Sequence, residues 1–192
     1  MLTDIVVIDD VFDDPEYIIH KARGMEYYDK FNHPDVLREG VYTNYSGVRT
    51  ELLHILDVNL YKQCNEIILN KIINNSFNYG NASVDYNFSN RLCFHYLTKY
   101  NVFNDSWFHS DNALCAGIVY LKKNPPKNSG TILKKKDEEI IVENKYNRLV
   151  LYNAGITHSP EGSFGGSVYD GRLTLTMFFD QLSFAMRTKH AS

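Results

Sequence analysis

Along the first eighty residues the apolar positions recur at helical spacing, whereas beyond about Ala82 they come as short apolar or aromatic runs separated by Asn, Asp, Gly and Pro. The second texture is that of an all-β sandwich or barrel. Ile5 to Ile8 is a short β-branched run stopped by Asp9 and Asp10. Asp13-Asp14-Pro15 then supplies an aspartate cap with a proline in the first turn, which predicts a helix over about 15–27. Residues 40–47, rich in Tyr, Asn and Gly, read as a loop or short strand. A second helix is predicted from about Thr50 to Asn74, because Leu53, Leu56, Leu60, Cys64, Ile67 and Ile68 form one stripe fit to pack on a sheet. Strands are predicted near 84–88, 91–97, 106–109, 113–121, 130–134, 139–143, 147–152 and 172–182, with Lys134 to Glu139 as a solvated hairpin tip. The fold class expected is therefore mainly β with N-terminal helices, a jelly roll covered on its outer face by helices. One domain, 1–192, is expected, with a helical support region over 1–80 and a β core over 81–185.

Chemistry enters at Trp107-Phe-His109-Ser-Asp111. An imidazole and a carboxylate two residues apart at the end of a strand can project to the same face. A later stretch, Leu149 to Pro160, reads as a strand running into a turn with His158 at its tip, 47 residues beyond Asp111. Two imidazoles and one carboxylate on one face of a metal leave its other positions open, as non-haem Fe(II) oxygenases require. H-x-D alone is common, and a lone His is more often a packing residue, so it is the order of the whole set that carries weight. Arg172 follows 14 residues after His158 and opens Arg-Leu-Thr-Leu-Thr-Met-Phe-Phe. Alternation places Arg172, Thr174, Thr176 and Phe178 on one face of that strand and Leu173, Leu175, Met177 and Phe179 on the other. An inward arginine needs an anion. That anion is either an acid of the chain or a ligand carboxylate gripped by two parallel hydrogen bonds, with Thr174 as a further donor.

Composition narrows the field. At 192 residues, with 44% hydrophobic and 22% charged residues, the chain has ordinary globular usage. A net charge of -3 and a pI near 6.1 give no basic surplus for a phosphate backbone, so nucleic acid is disfavoured as a partner. Cys64, Cys93 and Cys115 are widely spaced without a C-x-x-C pair, which predicts a reduced, cytoplasmic setting. The N-terminus lacks a basic n-region and meets acids early, unlike a signal peptide, and no run is long enough to span a bilayer, so no membrane partner is expected.

With His109-x-Asp111, His158 and Arg172 in order, the chain resembles the 2-oxoglutarate/Fe(II) dioxygenases, and within them the prolyl-4-hydroxylase-like branch. Ala116 to Lys122 is similar to that branch's strand after H-x-D, Ser129-Gly130-Thr131 to its G-T turn, and Asn147 to Tyr152 to the strand leading to the distal histidine. The likeness covers roughly residues 90–182. It implies a double-stranded β-helix, a jelly-roll or cupin-like barrel, holding Fe(II) through His109, Asp111 and His158. It also implies 2-oxoglutarate on the metal and on Arg172, and O2 as oxidant. Tyr96 and Tyr120 stand where related enzymes place a tyrosine near the co-substrate, though both also read as core aromatics. The implied reaction is hydroxylation of an unactivated C-H bond in a peptide, protein side chain or small molecule, a peptidyl proline first among them. The departures are an arginine where a lysine commonly anchors, and a long gap, Glu161 to Gly171, that reads as a flap or a long turn. A metal-binding cupin-like module without oxygenase turnover is the alternative, and it has no need of Arg172.

Overall fold

A computed structural model describes residues 5–34, 45–77, 83–101, 107–136 and 138–187. Nine strands and three helices are found among them: β1 (Ile5–Ile8), α1 (Pro15–Arg23), β2 (Val48–Arg49), α2 (Leu53–Leu56), α3 (Val58–Ser76), β3 (Ser83–Leu97), β4 (Cys115–Tyr120), β5 (Thr131–Lys135), β6 (Glu138–Val142), β7 (Leu149–Asn153), β8 (Thr157–Pro160) and β9 (Arg172–Arg187). All pairings are antiparallel. A six-stranded sheet runs β1-β7-β4-β9-β3-β2, and a three-stranded sheet runs β6-β5-β8.

The molecule is thus mainly antiparallel β, but the described strands make two separate sheets rather than a closed ladder, and the expected helical half is more mixed than its pattern suggests. Strands β1 and β2 both come from the first fifty residues and occupy the two edges of the large sheet. α1 begins as predicted, with the Asp14 carboxylate accepting from the Tyr17 amide and Pro15 in the first turn, and it ends at Gly24 instead of continuing to Tyr27. The second predicted helix is split at Asp57. That residue's Oδ1 accepts from the Leu60 amide at 3.0 Å, and its Oδ2 receives the Lys21 ammonium at 2.9 Å, so one carboxylate both caps α3 and ties it to α1. The two strands expected over 84–97 are one, because the apparent break at Ser89-Asn90 is a β-bulge. Asn90 there donates to Asn65 and accepts from Tyr61, so the bulge is fastened to α3.

The large sheet has two unlike faces. Leu173, Leu175, Met177 and Phe179 of β9 join Leu92, Phe94, Val119, Leu149 and Leu151 and the buried stripes of α1 and α3 in one apolar core. On the other side, Ala116, Ile118, Tyr120, Val150 and Tyr152 pack against Leu133 and Val142 of the small sheet. β5 and β6 form the predicted hairpin, with Lys136 at positive φ in its turn. Cys64 and Cys93 are buried, Cys115 is partly so, and all three are free thiols. Among the described residues no helix is long and apolar enough to cross a membrane.

Candidate metal centre and its cavity

The segment carrying His109 and Asp111 is no regular strand. The strand expected over 106–109 reduces, among described residues, to one bridge: the His109 amide donates to the His158 carbonyl at 3.1 Å and the His158 amide returns the bond at 2.8 Å. The Asp111 amide donates to the Ala154 carbonyl at 2.9 Å. His158 itself is not at a turn tip. It lies within β8, opposite Leu133 of β5, which fixes its direction by sheet geometry.

These bonds bring His109, Asp111 and His158 together, with one ligand atom of each within 4.8 Å of the others. His109 Nε2 is 3.7 Å from one Asp111 oxygen, and His158 Nε2 is 3.3 Å from the other. Both Nδ1 atoms face backbone carbonyls, that of Trp107 at 2.9 Å for His109 and that of Ile156 at 3.0 Å for His158. A carbonyl can only accept, so each Nδ1 carries the proton and each Nε2 turns a lone pair inward. Burial pushes the Asp111 carboxyl up, but the two imidazoles when protonated, and the Arg49 guanidinium, outweigh it and hold the group below the ordinary carboxylate value; a bound cation would take the place of those protons. An ionised carboxylate and two neutral imidazole nitrogens, oriented by carbonyls behind them, are a donor set suited to a divalent ion such as Fe(II).

His109, Asp111 and His158 line a cavity whose floor is the inner face of the large sheet, through Ala116, Ile118, Tyr152 and the β9 residues Arg172, Thr174, Thr176 and Phe178. Arg172 lies at the far end of β9 from Phe178. It is 3% exposed, and burial lowers its pKa. Its Nε donates to the Ser129 carbonyl at 2.8 Å, and its Nη2 to the Gly130 carbonyl at 2.9 Å and to Thr131 Oγ1 at 3.1 Å. No acid of the described residues pairs with it. Tyr120 stands behind this arginine, its ring 5.3 Å from the guanidinium carbon and its hydroxyl 2.7 Å from Thr131 Oγ1. It therefore supports Arg172 rather than lining the cavity.

Tyr96 requires a correction. Its register partner is Leu173, so it lies on the helix-covered face and packs edge-on against Tyr27 at 4.9 Å, away from any co-substrate. Its neighbour His95 takes the inward position instead. Phe108 does not line the cavity either; it lies under the Lys134 ammonium, 3.5 Å from the ring centroid. The glycine-rich stretch after Glu161 is a tied turn: the Asp170 carboxylate accepts from the amides of Gly166 and Ser167 and from the Ser167 hydroxyl.

Two cavity residues went unread in the sequence, His95 and Arg49. His95 Nε2 is 2.6 Å from the Ser46 carbonyl, and burial, then the charge of Arg49, keep its pKa well below the usual histidine value. Arg49, on β2 at the sheet edge, had no apolar periodicity around it to announce a strand.

Two antiparallel sheets in this arrangement also occur in solved proteins. A 2OG-Fe(II) oxygenase-family oxidoreductase from Burkholderia pseudomallei superposes with a TM-score of 0.62 at 10% identity, over 92% of this chain and 84% of that one. The fold is that of the 2-oxoglutarate/Fe(II) oxygenases. HygX from Streptomyces hygroscopicus, solved with nickel, 2-oxoglutarate and hygromycin B, shares it with a TM-score of 0.57 at 11% identity, over 92% and 82% of the two chains. So does a Trichoplax adhaerens prolyl hydroxylase bound to a hypoxia-inducible-factor peptide, with a TM-score of 0.56 at 11% identity, over 92% and 83%. No protein-family model and no curated protein matches the sequence. At such identities the oxygenase fold is what is shared; the chemistry has to be argued from the residues.

Proposed function

We propose that the chain is an Fe(II)- and 2-oxoglutarate-dependent oxygenase that hydroxylates an unactivated C-H bond, its two sheets forming the double-stranded β-helix of one domain. The observation that carries this reading is the convergence of two inward Nε2 atoms and an ionised Asp111 at one end of a cavity with a buried arginine at the other. His109, Asp111 and His158 would hold the iron on one side and leave its remaining positions to ligands. Arg172 would take the distal carboxylate of 2-oxoglutarate. Ser129, Gly130 and Thr131 already engage its Nε and Nη2, which locks the side chain and leaves Nη1, which they do not engage, to present to a ligand; the Thr174 hydroxyl donates to the His95 carbonyl and would have to turn to serve as a further donor. When bound, the iron and co-substrate supply O2-dependent chemistry in which 2-oxoglutarate becomes succinate and CO2 while R-H becomes R-OH. Ile118, Tyr152 and Phe178 keep that space poor in water.

For the substrate class, solved members of the fold include one bound to a peptide and one bound to a small molecule, hygromycin B, so a peptidyl or amino-acid side chain and a small metabolite both fit. One observation favours the second reading, a metal-binding cupin-like module: Arg172 is satisfied in part by its own chain, as a purely structural arginine would be. Anaerobic titration with Fe(II) and then 2-oxoglutarate separates the two. An oxygenase develops a weak visible charge-transfer band only when both are present, and releases succinate in air; a module that binds iron without responding to 2-oxoglutarate overturns the proposal.

A further inference from the structure

Of the two cavity arginines, Arg49 has no side-chain hydrogen bond or ion pair among the described residues. Its Nε is buried without a hydrogen bond among the described residues, and its guanidinium carbon lies 4.3 Å from the Tyr45 ring centroid and 5.6 Å from that of Phe178. An unpaired buried N-H costs about 1–3 kcal/mol, which a ligand acceptor would recover. The backbone beneath it is tightly held. The Tyr28 and Arg49 amides and carbonyls exchange bonds at 2.8 and 2.9 Å, the Thr50 amide donates to the Phe94 carbonyl, and Gly47 turns at φ +78. A Cβ at Gly47 would stand 2.4 Å from the Tyr96 carbonyl oxygen, so β2 lies against β3 only because that position is glycine.

Position along the cavity distinguishes the two arginines. Phe178 is six residues from Arg172 on β9, roughly 20 Å at strand rise. Asp111 bonds to Ala154, just past the end of β7 whose Asn153 pairs with Cys115, which in turn pairs with Phe179. Arg49 is in register with His95 and Thr174, but its guanidinium reaches towards Phe178, the end of β9 that Asp111 shares; Arg172 opens the strand, with its guanidinium bonded to Thr131, two residues along β5 from the Leu133 that pairs with His158.

We propose that Arg49 recognises a carboxylate on the primary substrate, so that the molecule hydroxylated is an acid that docks its anion beside the metal ligands. This inference rests on the oxygenase reading of the same site. The guanidinium lies near the Tyr45 and Phe178 rings and pairs with no acid among the described residues, so its N-H groups would supply the bidentate grip that suits a carboxylate.

The test uses the whole protein loaded with Zn(II), a diamagnetic stand-in for iron, and 15N NMR of the arginine Nε-Hε groups, with the Arg49 signal assigned by its loss in Arg49→Gln. Saturating 2-oxoglutarate is added first, then acetate or its neutral counterpart acetamide. The expected result is that acetate, and not acetamide, moves the Arg49 signal saturably. Measured by calorimetry on the same Zn(II)- and 2-oxoglutarate-loaded protein, acetate affinity should fall about tenfold or more in Arg49→Gln, be partly kept in Arg49→Lys, and stay unchanged in Arg91→Gln, whose guanidinium lies over the same ring but pairs with Asp180. N-acetylalanine against N-acetyl-Ala-Glu-Ala-amide then tells a free acid from a peptide side chain as the better source. An Arg49 signal unmoved by acetate overturns the proposal, as does one moved by 2-oxoglutarate itself, which would make Arg49 a co-substrate anchor. Failure of the oxygenase reading shows separately, as 2-oxoglutarate that moves no signal at all.

Discussion

Strand β9 serves two regions that obey different rules. Its outward residues, Leu173, Leu175, Met177 and Phe179, are buried against helices and have spent all their free energy on packing. Its inward residues, Arg172, Thr174, Thr176 and Phe178, are almost as deeply buried, only Phe178 being partly exposed, yet they line a cavity into which His109 and His158 turn their Nε2 atoms. One backbone therefore carries a finished surface and an unfinished one. The lesson is that burial alone does not tell a core from a site; what distinguishes them is whether buried polar atoms have partners.

That contrast can be broken first where it is sharpest. Replacing His158 with Ala removes a ligand whose Nδ1 is held by the Ile156 carbonyl and whose Nε2 faces Asp111, and 2-oxoglutarate turnover should fall at least a hundredfold, with metal affinity lost in parallel on calorimetry. The melting temperature should hardly move. Leu175→Ala on the opposite face should do the reverse. The residue is fully buried opposite Phe94 and Val119, so a denaturant titration should show a loss of about 2–5 kcal/mol while folded protein still binds metal with unchanged affinity. If Leu175→Ala altered metal affinity as strongly as stability, the two faces would not be independent.

The smallest effect is expected at the sheet edge. Asp9, just past β1, receives Arg148 at 2.6 Å and Lys145 at 2.7 Å, and the Arg148 bond, working against burial and aided by Lys145, holds its carboxyl down at about 2. A carboxyl lowered in the folded state stabilises above its unfolded value of 3.8 and loses that contribution as pH falls from near 4 towards 2. Because the pair is partly open to solvent, Asp9→Asn should cost no more than about 1 kcal/mol at neutral pH and flatten the acid limb of the stability curve over that window.

Much of this was legible before any coordinates. The alternation in β9 predicts which side chains share a face, because it is fixed within one element, whereas the placing of His109 and Asp111 depends on bonds to His158 and Ala154. What stayed hidden depends on pairing between distant elements. Tyr96 reads in sequence either as a co-substrate neighbour or as a core aromatic, and only the register with Leu173 decides for the core. The Ser89-Asn90 bulge read as a break because nothing local says that Asn65 and Tyr61 will hold it. The cut at Asp57 was masked by an apolar stripe that continues across it. β2 is two residues long and exists only because Gly47 lets it approach β3, so Arg49 could not be seen as inward-facing. The two separate sheets, rather than a closed ladder, likewise depend on pairings that no single segment encodes.

The paired backbone bonds between His109 and His158 have one more consequence. Since each ligand's amide is closed by the other's carbonyl, the spacing of the two nitrogens is a property of main-chain geometry and barely depends on the side chains around them. A cation seated there would clamp the same bridge from the other side, making the seam between the small sheet and the 109–111 segment the part of the molecule whose breathing is most suppressed by occupancy.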